Sequence, residues 1–185
     1  MKGKWCVAAA GAMALAGCGQ MESMKVGSGG PVGMDGARAV AVLQPTKGNN
    51  TTGQVVFEQQ GSKVMVSAQV SGLPPNSTHG FHVHEKGDCS SGDGNSAGGH
   101  FNPTGKPHGQ GGGTGEHHTG DMPNLTADAY GNANVRFTLT TMTVGGGSTD
   151  VTGKGLIVHA NADDYKTQPT GNAGARLACG VIERS

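Results

Sequence analysis

The chain has 185 residues, of which 35 are glycine, 14% are charged and only 4% are aromatic. Basic and acidic residues balance at 13 each, and the sequence has no basic patch with interleaved aromatic residues, which argues against nucleic-acid binding. The length suffices for one domain with a hydrophobic core, and abundant glycine beside short valine and threonine runs predicts strands and turns instead of helices.

The first segment, residues 1–17, is predicted to be a lipoprotein signal peptide. Lys2 and Lys4 precede an apolar stretch, residues 5–16, which is shorter than the roughly 20 residues needed to span a bilayer. The stretch leads into LAGC, which resembles the lipobox of bacterial lipoproteins and implies cleavage before Cys18 and acylation of that cysteine. The alternative is an ordinary secretory leader in which the cysteine occurs by chance.

A second segment, residues 18–36, is predicted to be the lipidated cysteine followed by a flexible tether, because it is rich in Gly, Ser and Met without periodicity. No aspartate follows Cys18, and by analogy with lipoprotein sorting this favours the outer membrane or periplasm over the inner membrane. We therefore expect a lipid-anchored protein of the bacterial cell envelope that touches the membrane only through its anchor.

From residue 37 onward, short β-type runs alternate with Gly, Asn and Pro turn signals, and no amphipathic helix stands out. The runs are ARAVAVLQP, GQVVFEQQ, KVMVSAQVSG, GFHVHE, NANVRFTLT, GKGLIVHA and ARLACGVIE. Seven or eight strands of this kind predict an all-β antiparallel sandwich or barrel.

Two stretches lack strand spacing and are predicted to be long functional loops: residues 85–129 and residues 160–174. The first loop contains Cys89, and Cys179 lies in the last predicted strand. In an exported protein these two cysteines can pair, and the bridge would tie the start of the loop to that strand.

Metal-capable side chains concentrate in three places. His82 and His84 stand at i and i+2 of one predicted strand and therefore share a face, and His159 ends another strand. For the first pair alone, two exposed polar residues are an equal alternative. The first loop adds four more groups, a plausible zinc set of three imidazoles and a carboxylate: His100, His108, His118 and Asp121. His117 competes with His118, but the three-residue spacing to Asp121 favours His118.

The segments GFHVHEKGDC, AGGHFNP, KPHG, HTGDMPNL and LIVHANADDYKTQPTGNAGARLACGVI, in this order, resemble an exported bacterial copper/zinc superoxide dismutase over residues 37–185. The resemblance implies an eight-stranded antiparallel Greek-key barrel or sandwich with the two long loops. It implies one copper and one zinc per subunit. Copper would be bound by His82, His84, His100 and His159, and zinc by His100, His108, His118 and Asp121.

In this resemblance His100 bridges both metals and takes part in catalysis, and Asp163 orients His82 and His108. Arg176 would hold the superoxide anion, and Cys89 and Cys179 would form the disulfide. The implied reaction is dismutation of superoxide to dioxygen and hydrogen peroxide by a redox-cycling copper.

A non-catalytic copper- and zinc-binding envelope lipoprotein of the same fold is the alternative. The sequence does not choose between a monomer and a homodimer. Lys106 and Lys166 are candidates for steering the anion, with an ordinary solvated surface lysine as the alternative for each.

Overall fold

A computed structural model describes residues 34–185. The predicted signal peptide, the lipidated Cys18 and nearly all of the predicted tether lie outside these residues. The described part contains nine strands and one short 3₁₀ turn, Asn95–Ala97. The strands are β1 (Arg38–Pro45), β2 (Thr52–Gln60), β3 (Lys63–Ser71), β4 (Thr78–His79), β5 (Phe81–His84), β6 (Leu125–Thr126), β7 (Ala133–Leu139), β8 (Gly155–His159) and β9 (Arg176–Arg184).

The predicted all-β antiparallel class is confirmed. Seven strands form one curled antiparallel sheet in the order β5-β8-β9-β1-β2-β3-β7, and β4 pairs with β6 in a separate small sheet. The seven strands of the large sheet correspond to the seven predicted runs. The described residues contain nine strands, whereas the resemblance implied eight. The two strands outside the predicted runs, β4 and β6, have only two residues each, too few to show the alternation by which a strand is recognised.

The chain connections follow from this order. β1, β2 and β3 are joined as consecutive antiparallel neighbours, and β7 adds beside β3. Between β3 and β7 the chain visits β5 at the far edge of the sheet, and after β7 it crosses again to β8, which lies between β5 and β9, while β9 pairs with β1. This crossing places β5 and β8, which are separated by about 70 residues of chain, side by side.

The core lies on one face of the curled sheet. In β1, Ala39, Ala41 and Leu43 are buried, whereas the alternate residue Val42 is 54% exposed. Leu125 and Met142 pack into the same core from outside the large sheet. Within residues 34–185, no helix has both the length and the apolar character needed to cross a membrane.

The first long loop covers the free edge of β5. Val83 donates a backbone hydrogen bond to Gly120 O at 2.8 Å and accepts one from Phe101 N at 2.8 Å. Phe101 and Met122 anchor the loop because both join the core. The loop is therefore held along the free edge of β5, the strand that carries His82 and His84.

Candidate metal centre

Three histidines project from adjacent strands on the side of the sheet opposite the core. Phe81 and Val83 belong to the core, so the alternation of β5 turns His82 and His84 to the other face, and both are buried there. The neighbouring strand β8 pairs with β5 and ends at His159. The predicted shared face of the H-x-H pair is present, and the exposed alternative does not hold.

The end of β8 is irregular where it reaches this face. The register between β8 and β9 shifts between Val158 and His159, as in a β-bulge. A bulge re-aims the side chain that follows it, and bulges are common beside functional sites. The shift brings His159 Nε2 to 3.3 Å from His84 Nε2.

Two groups of four buried side chains meet here, and each group has its ligand atoms within 4.8 Å of one another. The first group is His82, His84, His100 and His159, and the second is His100, His108, His118 and Asp121. These are the residues that the resemblance assigned to copper and to zinc. His117 stays outside both groups, and its Nδ1 contacts His118 O at 2.8 Å.

One imidazole, that of His100, belongs to both groups. Its Nδ1 faces the second group, 2.9 Å from Asp121 Oδ1 and 3.3 Å from His118 Nδ1. Its Nε2 is buried without a hydrogen-bond partner on the side of the first group. The ring of His100 lies beside that of His82, with centroids 4.1 Å apart. The two nitrogens of one ring therefore point into two different donor sets.

The donor set of the first group fits a metal ion. His82 places its Nε2 2.7 Å from Asp163 Oδ2, His84 its Nδ1 2.9 Å from Gly98 O, and His159 its Nδ1 3.2 Å from Gly174 O. In each ring an N–H donated outward leaves the lone pair of the other nitrogen facing inward, as metal-ligating histidines require. The inward Nδ1 of His82 has no partner in the protein.

The spacing of the nitrogens agrees with this fit. His84 Nε2 and His159 Nε2 lie 3.3 Å apart, and two neutral imidazole nitrogens gain nothing from facing each other with lone pairs when their N–H groups are donated elsewhere. Zn–N bonds of about 2.0–2.1 Å in a tetrahedron place ligand nitrogens roughly 3.3 Å apart. A cation bound by both nitrogens accounts for this contact.

The protonation preferences of the first group also favour a metal. Burial lowers the pKa of His159 to about 3, with a further decrease from the nearby His82. Burial lowers the pKa of His100 to about 4, although its hydrogen bond to Asp121 acts in the opposite direction. These imidazoles are therefore neutral near pH 7, the form that binds copper or zinc.

The second group carries the negative charge. Burial alone would raise the pKa of Asp121, but hydrogen bonds from His100, His108 and His118 hold it well below its usual range. Burial of His108 disfavours its charged form, yet hydrogen bonds to the Asp121 and Asp163 carboxylates raise its pKa to about 9. The site therefore stabilises positive charge, which suits a divalent cation with a carboxylate ligand.

Asp163, which comes from the second loop, joins the two groups a second time. Its Oδ2 contacts His82 Nε2 at 2.7 Å and its Oδ1 contacts His108 Nε2 at 2.9 Å. Burial raises the pKa of Asp163, but these hydrogen bonds outweigh it and keep the carboxyl ionised. One carboxylate thus orients one ring of each group, which is the arrangement that the resemblance implied.

Two amide side chains that sequence analysis did not identify fix the loops to each other. Gln168 Oε1 accepts from His108 N at 2.8 Å and its Nε2 donates to His108 O at 2.9 Å. Asn124 pairs in the same way with the backbone of Asp163, at 3.0 and 2.9 Å. Each side-chain amide hydrogen-bonds a backbone N–H and C=O as a neighbouring peptide group would. Neither residue could be identified from the sequence, because its partner lies 60 or 39 residues away along the chain.

Gly171 is packed against the contact between Asp163 and His108. It has a φ of +63°, and a Cβ there would overlap the Asp163 carboxylate and come within 2.6 Å of His108 Nε2. Replacing Gly171 by alanine is expected to weaken zinc affinity about 10- to 100-fold, the usual cost of losing a hydrogen bond that orients a ligand. Competition with a chromogenic chelator measures this affinity.

Gly105 provides the matched control, since its φ is +64° and a Cβ there meets nothing within 4 Å. Gly105→Ala should cost only the left-handed backbone strain, about 1–2 kcal/mol of unfolding free energy, and leave zinc affinity unchanged. Equal zinc affinities in the two variants would contradict the orienting role of Asp163.

The first group is reached from solvent through a cavity of about 490 Å³ lined by His84, His159 and Arg176. The guanidinium of Arg176 donates to Gly94 O at 2.7 Å and to Gly98 O at 2.6 Å, both in the first loop. Burial lowers the pKa of Arg176, while Asp93 acts in the opposite direction, and an arginine so held remains charged. The cavity therefore combines neutral imidazoles with a fixed cation.

The predicted disulfide between Cys89 and Cys179 is confirmed, with a Cα–Cα distance of 5.7 Å and a sequence separation of 90 residues. Ala97 and Ile157 pack around the bridge in a small second apolar cluster. The bridge ties the first loop to β9, the strand that begins with Arg176. Loop and guanidinium are thereby fixed to one another.

The two candidate steering lysines are outside the lining of this cavity. Neither Lys106 nor Lys166 lines it, and Lys106 instead lies 3.8 Å from Glu116. Because a charge can attract an anion from outside the lining, a steering role for these two lysines stays a prediction.

Fold and site together define a β-sheet protein with paired metal-binding groups that share one histidine. The family profile of copper/zinc superoxide dismutase (SODC) matches residues 51–182, which is more than half of the chain. The chain belongs to the copper/zinc superoxide dismutase family, whose metals are copper and zinc, and its two groups of side chains are able to bind metal ions.

Individual relatives agree. "Superoxide dismutase [Cu-Zn] 2" of Aquifex aeolicus is 42% identical over 141 residues, 72% of this chain and 82% of the relative. "Extracellular superoxide dismutase [Cu-Zn]" of Onchocerca volvulus is 43% identical over 166 residues, 84% and 80% of the two chains. The crystal structure of the clock protein EA4 superposes with a TM-score of 0.72 and 39% identity, covering 82% of this chain and 97% of that one.

Proposed function

We propose that this protein converts superoxide to dioxygen and hydrogen peroxide, with copper at the first group and zinc at the second. The observation that carries the proposal is the position of His100, whose two ring nitrogens face the two groups. Copper supplies the one-electron couple that oxidises one superoxide and reduces the next, while zinc has no redox chemistry. Two superoxide anions and two protons give one dioxygen and one hydrogen peroxide.

The residues around the first group would bind the anion, carry a proton and orient the histidine rings. Arg176 lines the cavity together with His84 and His159, and its guanidinium can bind a small anion there. His100 Nε2 has no other partner in the protein, so whenever it is not bound to copper it would be free to carry the proton that peroxide formation requires. Asp163 keeps the rings of His82 and His108 in place throughout.

Testing this function begins with the protein reconstituted with one copper and one zinc. It should dismutate superoxide, and Arg176→Ala should lower kcat/KM by about one to two orders of magnitude, because an anion-binding group is lost. Metal content should stay unchanged. Arg136, an exposed arginine of β7 outside the cavity, provides the control substitution. Copper-loaded wild type without activity would leave only the alternative, a non-catalytic metal-binding envelope protein.

We further infer that residues 37–185 form the catalytic domain and that residues 1–36 export and anchor it. The signal-like segment, the LAGC sequence ending at Cys18 and the disulfide of the domain support an oxidising compartment of a bacterial envelope. Globomycin treatment of the expressing bacterium, which blocks lipoprotein signal cleavage, should leave an uncleaved precursor. Cys18→Ala should release the domain from the membrane fraction.

A further inference from the structure

The connection between β1 and β2, residues 46–51, forms one side of the cavity mouth. Thr46, Lys47 and Asn49 line the same cavity as Arg176 and His84. Sequence analysis gave this connection no function, because it reads as an ordinary polar turn between two strands. Its position depends on contacts with residues that are distant along the chain.

Those contacts fix the connection relative to Arg176. Lys47 N donates to Gly92 O at 2.6 Å, and Thr46 N donates to Leu177 O at 3.0 Å. The hydroxyl of Thr46 donates to Arg176 O at 2.7 Å. The backbone of Lys47 is therefore held between the first loop and the strand that carries the guanidinium.

Three charged residues line this cavity: Lys47, Asp93 and Arg176. The carboxylate of Asp93 accepts hydrogen bonds from Asn95 N at 2.9 Å and Asn95 Nδ2 at 2.7 Å. Among residues 34–185, no carboxylate lies within 4.0 Å of the Lys47 ammonium, whose side chain is exposed. Lys47 is thus the solvent-facing cation of the mouth, and Arg176 is the cation inside it.

We propose that Lys47 steers the anionic substrate into the cavity toward Arg176. The proposal rests on the proposed dismutase function and names the residue that guides the anion. A unit charge roughly 10 Å from the path of a monoanion in water changes its local concentration about twofold. Asp93 acts at the same mouth with the opposite sign.

The test measures kcat/KM of the copper- and zinc-loaded variants from about 0.01 to about 0.3 M ionic strength. At the low end, Lys47→Gln should lower kcat/KM about twofold and Lys47→Glu about fourfold, whereas Asp93→Asn should raise it about twofold. All differences should shrink as salt is added. A merely structural defect would not reverse sign with charge or vanish in salt.

Lys63 provides the matched control, since Lys63→Gln changes net charge by the same amount. It lies at the β2–β3 turn, at the opposite end of β2 from the β1–β2 connection. Its replacement should leave kcat/KM within about 1.3-fold of wild type at about 0.1 M salt, because a distant charge is screened.

A second readout does not require turnover. Azide, a monoanion, is titrated into the copper-loaded protein, and its binding is followed by the change in the visible absorption of the bound copper. Lys47→Gln should raise the azide Kd about twofold at low salt while Lys63→Gln does not. Weaker azide binding in a protein that fails to dismutate superoxide would sustain the role of Lys47 and reject the dismutase function. Lys47 and Lys63 variants that match in both measurements at low salt would overturn the proposal.

Discussion

Replacing His159 by alanine is expected to remove copper while leaving zinc bound. His159 belongs only to the first group, and all four side chains of the second group are left in place. We expect copper occupancy to fall toward zero and turnover to fall at least about a hundredfold, since no redox centre remains. Mass-spectrometric metal analysis of purified protein and a superoxide assay measure the two effects.

The converse variant makes this prediction sharp. His118 belongs only to the second group, so His118→Ala should lose zinc and retain copper. His100→Ala should reduce the occupancy of both metals, because its ring faces both groups. His117→Ala is the control on the same loop, since His117 lies outside both groups. If His159→Ala lost both metals to the same extent as His100→Ala, the assignment of separate donor sets would be wrong.

Removal of the disulfide is expected to produce the largest loss of stability. The double variant Cys89→Ser/Cys179→Ser opens a bridge with a sequence separation of 90 residues. Chain entropy for a loop of this length predicts a decrease of about 4–5 kcal/mol in the free energy of unfolding. Guanidinium unfolding of the metal-free proteins measures it without the contribution of bound metal.

Two further observations check the stability prediction. Reduced wild type should unfold at the same guanidinium concentration as the double variant, because both lack the same cross-link. The variant should also hold Arg176 less firmly, since Gly94 and Gly98, which accept its hydrogen bonds, lie in the loop that the bridge secures. A double variant within about 1 kcal/mol of oxidised wild type would contradict the prediction.

Local pattern was sufficient for the strands and for one pair of functional residues. Alternation along residues 80–85 placed His82 and His84 on one face, since successive side chains of a strand must point in opposite directions. The same alternation predicted the seven strands of the large sheet. Alternation did not predict β4 and β6, because a strand of two residues is too short to show a repeating pattern.

The loops were predictable only as regions. Composition indicated that residues 85–129 and 160–174 lacked regular structure, and the resemblance assigned their metal ligands. Neither the composition nor the resemblance indicated that Gly171 packs on Asp163, or that Gln168 binds the backbone of His108. Such contacts depend on how a glycine-rich chain folds back on itself, and that path leaves no periodic signal.

The sequence by itself determined the antiparallel β class, the shared face of His82 and His84 and the pairing of the two domain cysteines. Only the tertiary structure decided that His100 faces two donor groups and that Lys47, not Lys106 or Lys166, stands at the cavity mouth. The physical reason is the separation along the chain of the residues that make each contact. Strand alternation is fixed by backbone geometry between neighbours, whereas a site assembled from two loops and three strands is fixed by contacts between residues far apart in the chain.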